Sequence, residues 1–191
     1  KGSHGDARHP RYAHRASPPM NPSIDPTSPR YTSAPLPPYR YVPGRSPHPH
    51  SDPRGHSFGR PEARAERIDP AAWQRSETWK RAVDLHNFAY FWEAHEALEI
   101  LWRGAGGGGP RSGMLADFFQ GLIQICAAHL KHALDVPTAV DALLSRALPR
   151  LAGAPSPLLG LDLRAYERDT LAYFRGERAE PPRIVLDLDL G

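Results

Sequence analysis

Apolar residues recur with a helical period from Ala72 onward and without any period before it, so the pattern alone divides the chain near Asp69. Asp69-Pro70 has the form of a helix start: an acidic N-cap, then the one residue whose missing amide hydrogen is harmless at the first helical position. At about 100° per residue, Ala72, Trp79, Ala82, Val83 and His86 share one stripe, while Gln74, Arg81 and Asp84 fall off it. This predicts an amphipathic first helix from Pro70 to His86 or Asn87, with the histidine on its buried side. After a short break at 87–89, a second helix is predicted over 90–103, and the glycine-rich run 104–109 stops it in a flexible, polar loop. The third spans 112–134. Phe118, Phe119, Leu122, Ile123, Ile125, Cys126, His129 and Leu130 cover most of its circumference, which marks it as the central helix. Pro137 opens a fourth helix that Gly153 and Pro155 end. A fifth begins near Asp162, with Leu163, Tyr166, Thr170, Leu171 and Phe174 as its stripe, and closes at Gly176. From Pro181 the apolar residues alternate, as in an extended segment.

The fold class read from this pattern is all-α: a compact bundle of about five helices over residues 70–178, with an extended proline-rich N-terminal arm and an extended C-terminal tail at 179–191. Composition sharpens the boundary. Residues 1–70 hold 15 of the 22 prolines and 11 Lys plus Arg against 6 Asp plus Glu, a net charge of +5; the remainder carries 13 against 15, a net of −2. The basic character thus belongs to the arm, but its arginines are scattered singly, which argues against nucleic-acid binding. Residues 1–33 have almost nothing to bury and are expected to be a disordered tail. Within it, Lys1-Gly2-Ser3-His4 reads as an expression remnant and Met20 as a natural start. Residues 34–69 are expected to be partly ordered against the bundle, with Tyr39, Tyr41 and Phe58 as anchors among fixed-φ prolines. Cys126 is the only cysteine, which excludes an internal disulfide. The longest apolar run, 114–130, is interrupted by Asp117, Gln120 and Gln124, so no membrane span is expected, and the expected location is the cytoplasm.

Candidate chemistry concentrates on the second helix. With Tyr90 at 0°, its apolar arc runs from about −20° to 120°; His95 then lies near 140°, Glu99 near 180°, Trp92 near 200°, Arg103 near 220° and Glu96 near 240°. An imidazole and a carboxylate four residues apart are close enough to hydrogen-bond or to share one divalent metal ion. Such an ion needs three or four protein ligands, so others must come from elsewhere: His86, His129, or His48, His50 and His56 if the arm folds back. Glu96 is the candidate general base. Trp92, Trp102 and Arg103 would shape the site, and Gln120 and Gln124 would orient His95 if they face it. The plainer interpretation pairs His95 with Glu99 at the rim of the core, treats the tryptophans as packing groups, and makes His86 and His129 satisfied core histidines. Other motifs fit poorly. The zinc-protease pattern His-Glu-x-x-His has Glu99 in its last place, the di-iron Glu-x-x-His pattern has Trp92 in its first, and the glycine run lacks the Lys-Ser or Lys-Thr of a phosphate loop.

His95, Glu99, Trp102 and Arg103, with Trp92 to Glu99 as WEAHEALE and Phe118 to Gln124 as FFQGLIQ, resemble the bacterial and archaeal family called domain of unknown function 309 over about residues 70–152. The resemblance implies a compact helical bundle and a metal-binding role for His95 and Glu99, without a substrate. It also implies a glycine shortly after the Phe-Asn of the helical hairpin, where this chain has His86-Asn87 and then Ala89; a tighter or continuous bend is expected there. The functional expectation is a metal-binding protein or metal-dependent hydrolase built on His95 and Glu99. The alternative is a non-catalytic helical module that binds a protein partner or a second copy of itself.

Overall fold

In a computed structural model of the chain, residues 28–110 and 112–189 are described. They form a 3₁₀ segment, Pro70–Arg75, and the helices α1 (Glu77–Asn87), α2 (Phe91–Gly104), α3 (Met114–Ala133), α4 (Pro137–Ala152) and α5 (Leu163–Phe174). Extended pairing among the described residues is limited to isolated bridges, Leu158 with Leu161 and Leu161 with Leu186. No helix among them is long and apolar enough to cross a membrane.

As its circumference of apolar residues demands, α3 lies at the centre and packs against both α2 and α4. Phe118, Phe119, Leu122, Ile125 and Cys126 are sealed inside it. Trp79 of α1 meets the rings of Phe118 and Phe119 edge-on at 5.9 and 6.1 Å and donates its indole N–H to the Leu159 carbonyl at 3.0 Å. The bundle thereby buries a large aromatic surface while leaving that polar handle satisfied.

The first predicted helix is corrected. Asp69 caps a start at Pro70, accepting from the Ala71 amide, but Ala72 leaves the helical region at φ −138°. The α-helix begins again at Glu77, capped by Ser76, whose hydroxyl accepts from the Trp79 amide at 3.1 Å. The same hydroxyl donates to Glu66 at 2.6 Å, and Thr78 donates to the other oxygen of that carboxylate. The break turns Trp73 inward in place of Ala72 and gives the real helix a stronger start than Asp69 supplies.

A second difference concerns Asp84, which falls off the apolar stripe and is nevertheless fully buried at 0 % exposure. The arm covers it. The amides of Tyr31 and Thr32 donate to its two oxygens at 2.8 and 2.9 Å, and the Thr32 hydroxyl adds a third bond at 2.6 Å. Residues 28–33, expected within a disordered tail, are seated on α1 by these bonds. The expected remnant at the start, the start at Met20 and the rest of that tail lie outside the described residues. One turn before Asp84, Arg81 donates to the Ala34 and Pro35 carbonyls, and one turn after it Asn87 brackets Ile184 through both its amide and its carbonyl at 2.7 Å. Residues 31–35 of the arm and Ile184 of the tail thus lie on α1, and the two segments meet where the Leu186 amide donates to the Tyr31 hydroxyl at 2.8 Å. The tail shows the alternation of an extended segment, with Ile184 and Leu186 inward and Val185 63 % exposed.

Candidate metal centre

Helix α2 places His95, Glu96 and Glu99 on its outer flank, beside the stripe formed by Ala94, Leu98 and Leu101 that faces the core. The imidazole Nδ1 lies 3.6 Å from a Glu96 oxygen, and Nε2 lies 3.7 Å from a Glu99 oxygen. One ligand atom from each of the three residues falls within 4.8 Å of the others. His95 is 26 % exposed and Glu99 36 %, so the group is open to solvent on one side. The Nδ1 atom itself is covered and has no hydrogen-bond partner.

The arm closes over this flank. Leaving α1, it runs along α2 in chain order: the Tyr90 hydroxyl donates to the Pro37 carbonyl at 3.0 Å, the Arg40 guanidinium stacks 5.2 Å above the Tyr90 ring, and the Tyr41 amide donates to Glu93 at 3.0 Å. His56 Nε2 meets the same Glu93 oxygen at 3.0 Å, with both side chains buried. Burial pushes the Glu93 carboxyl above its usual range; its bonds to His56 and to the Tyr41 amide oppose that shift. Trp92 is the aromatic platform for the loop that follows, with Tyr41, His48 and His50 rings at 5.2, 5.5 and 5.6 Å. The His50 Nε2 ends 3.6 Å from the second oxygen of Glu96.

The model of the family described as domain of unknown function (DUF309) matches residues 79–140. Residues 79–140, less than half of the chain, are similar to that family. No curated protein and no solved structure matches the chain. The DUF309 segment comprises most of α1, all of α2 and α3 and the opening of α4, and so includes His95, Glu96 and Glu99 but neither the arm nor α5.

Within the DUF309 segment, several residues expected at the site stand elsewhere. His86 lies in the core, with its Nε2 2.9 Å from the Tyr166 hydroxyl and its ring 6.0 Å from that of His129. Burial pushes its pKa down to about 4. His129 stacks on Phe91 at 4.1 Å, and burial, then the neighbouring His86 and His132, hold it well below the usual imidazole range. Arg103 is drawn away to the linker between arm and bundle, pairing with Glu62 and donating to the Ala63 carbonyl at 2.9 Å. Trp102 is overlain by the glycine-rich run. A side chain at Gly107 would meet its indole at 2.2 Å, so the run is a fitted cover for that ring and more than a polar linker. Among the described residues, neither Gln120 nor Gln124 bonds to His95, and Gln124 Oε1 is buried without a partner. Of the arm histidines, His56 is taken by Glu93 and His48 uses Nδ1 to accept the His50 and Ser51 amides at 3.2 and 3.3 Å. Only His50 among them reaches the cluster.

Glu93, which fixes the arm, has no part in the sequence reading. Its signal is faint: at about −60° on the same wheel it is an acid just beyond the edge of the apolar arc, a place that suits a carboxylate covered by another segment.

Proposed function

We propose that the protein binds a divalent metal ion on the flank of α2, through His95, Glu99 and Glu96. The observation that carries this reading is the convergence of the three side chains on a volume small enough for one ion. With bonds of about 2.1 Å, tetrahedral ligand atoms stand ~3.4 Å apart; one ligand atom from each residue already lies within 4.8 Å of the others, and rotamer changes close the remainder. Two carboxylates neutralise the charge of a divalent ion, and the imidazole favours zinc and similar ions over magnesium or calcium, which prefer all-oxygen shells. One nitrogen of the His95 ring would hold the ion, and both carboxylates would turn to that side of the ring. In this arrangement Glu96 is a ligand, and its expected role as a general base gives way to it.

A hydrolase would in addition need a coordination position kept for water, and the partial exposure of His95 and Glu99 is consistent with one. The interaction-module alternative draws less support, because the arm already covers much of the outer face of α1 and α2.

The test is zinc titration of tag-free protein in which His4, His9 and His14 are changed to Ser, so that the basic tail contributes no ligand. One equivalent should bind, and His95→Ala and Glu99→Ala should each weaken binding by at least about tenfold. Variants that retain the parent stoichiometry and affinity would place the metal elsewhere.

A further inference from the structure

The arm brings one more imidazole up to Glu96. Glu96 directs one oxygen towards His95 and the other towards His50, at 3.6 Å in each case. His50 sits on a loop whose shape is set from within. The Asp52 amide donates to the His48 carbonyl at 3.2 Å, the Ser57 amide to that of Pro49 at 3.1 Å, and Asp52 pairs with Arg54 at 2.9 Å. At Gly55 an added side chain would lie 2.3 Å from the His48 and Pro49 carbonyls, so the loop closes this tightly only around glycine. The loop is also fixed to α2 one turn before the cluster, because Glu93 holds the Tyr41 amide and His56 on either side of it. Three independent restraints, the internal turn, the Glu93 anchor and the Trp92 platform, therefore deliver the imidazole of a residue 45 positions earlier than His95 to the second oxygen of Glu96.

We infer that a zinc-class divalent ion held by His95, Glu96 and Glu99 takes His50 as its fourth ligand, so that the metal clasps the arm to α2. This rests on the metal centre proposed above and adds a consequence for the whole chain. Two imidazoles and two carboxylates complete a neutral four-coordinate shell, and a bond from residue 50 to the ion ties the arm to the DUF309 segment. Metal occupancy then governs how often the loop opens.

Zinc affinity and amide hydrogen exchange over residues 46–57 are measured on the full chain, for wild type, His50→Ala, His50→Gln and His95→Ala. His50 is 43 % exposed, so both of its substitutions should leave the zinc-free circular dichroism unchanged. In the wild type, zinc should slow exchange in the loop. Both His50 variants should lose at least about tenfold in affinity and show no zinc-dependent protection there. If they bind zinc as the wild type does, or are protected equally, the clasp is overturned while the centre on α2 stands. If His95→Ala binds as tightly as the wild type, or if the wild type binds no zinc, the centre itself falls and the clasp with it.

Discussion

Asp84 shows how a single side chain can decide where a segment of some thirty residues begins its path. A carboxylate with no exposure must have its lone pairs filled, and the arm fills them with two backbone amides and a hydroxyl, while the Arg30 guanidinium stands 3.5 Å away. Asp84→Ala removes the acceptor and strands two half-buried amide donors. It should lower unfolding free energy by about 2–4 kcal/mol and open the chain to trypsin at Arg30 and Arg40. Urea unfolding and timed proteolysis would check both; an unchanged midpoint with intact arm would show that the three bonds hold nothing. The sequence placed Asp84 off the apolar stripe correctly, yet gave no sign that another segment would cover it. Glu93 repeats the lesson on α2, as a polar residue whose partners come from 37 and 52 positions away.

At the level of elements, the end of α1 answers the question raised by the missing glycine. The Tyr90 amide donates to the Leu85 carbonyl at 2.8 Å and the Ala89 amide to that of His86 at 2.9 Å, the paired bonds of a Schellman ending. That ending requires a left-handed residue, and Ala89 supplies it at φ +61°. The bend expected to tighten or disappear is therefore kept, with alanine in a conformation that costs about 1–2 kcal/mol relative to its preferred regions. Asp135 does the same after α3, at φ +56°. Ala89→Gly should relieve the strain and, after the larger entropy of glycine in the unfolded chain is set against it, stabilise the protein by about 0.5–1 kcal/mol. Thermal melts would register this as a rise in Tm; a fall would mean that the Ala89 methyl makes packing contacts worth more than the strain.

Over the whole molecule, α1, α3 and α5 are joined by a buried polar group: His86 bonds to Tyr166, and the His129 ring packs against Tyr173 and Phe174. Burial keeps both histidines neutral, with His86 titrating at about 4. The unfolded chain, whose histidines titrate near 6.5, binds more protons than the folded one between those two values. Stability from this source is complete above pH 6.5 and is lost as pH falls towards 4. For His86 alone the loss between pH 7 and pH 5 is about 2 kcal/mol. Denaturant midpoints followed over that range should fall, and a His86→Gln variant should show a shallower slope; a flat wild-type profile would mean that the core admits the protons without opening.

The order and centres of the helices, the primacy of α3, the alternation of the tail and the neighbourhood of His95 with Glu99 follow from spacing along the chain, because each depends on residues within a few positions of one another. Breaks such as that at Ser76 were harder to read, since Asp69-Pro70 and Ser76 both offer caps and only the burial of Trp73 and the bond to Glu66 select between them. Which of His48, His50 and His56 reaches Glu96, why Arg103 leaves the site for Glu62, and why two acids off the apolar faces are buried depended on the path of the arm. That path is set by hydrogen bonds between segments as much as 155 residues apart, and no local pattern records a contact whose partners are brought together only when the bundle has formed.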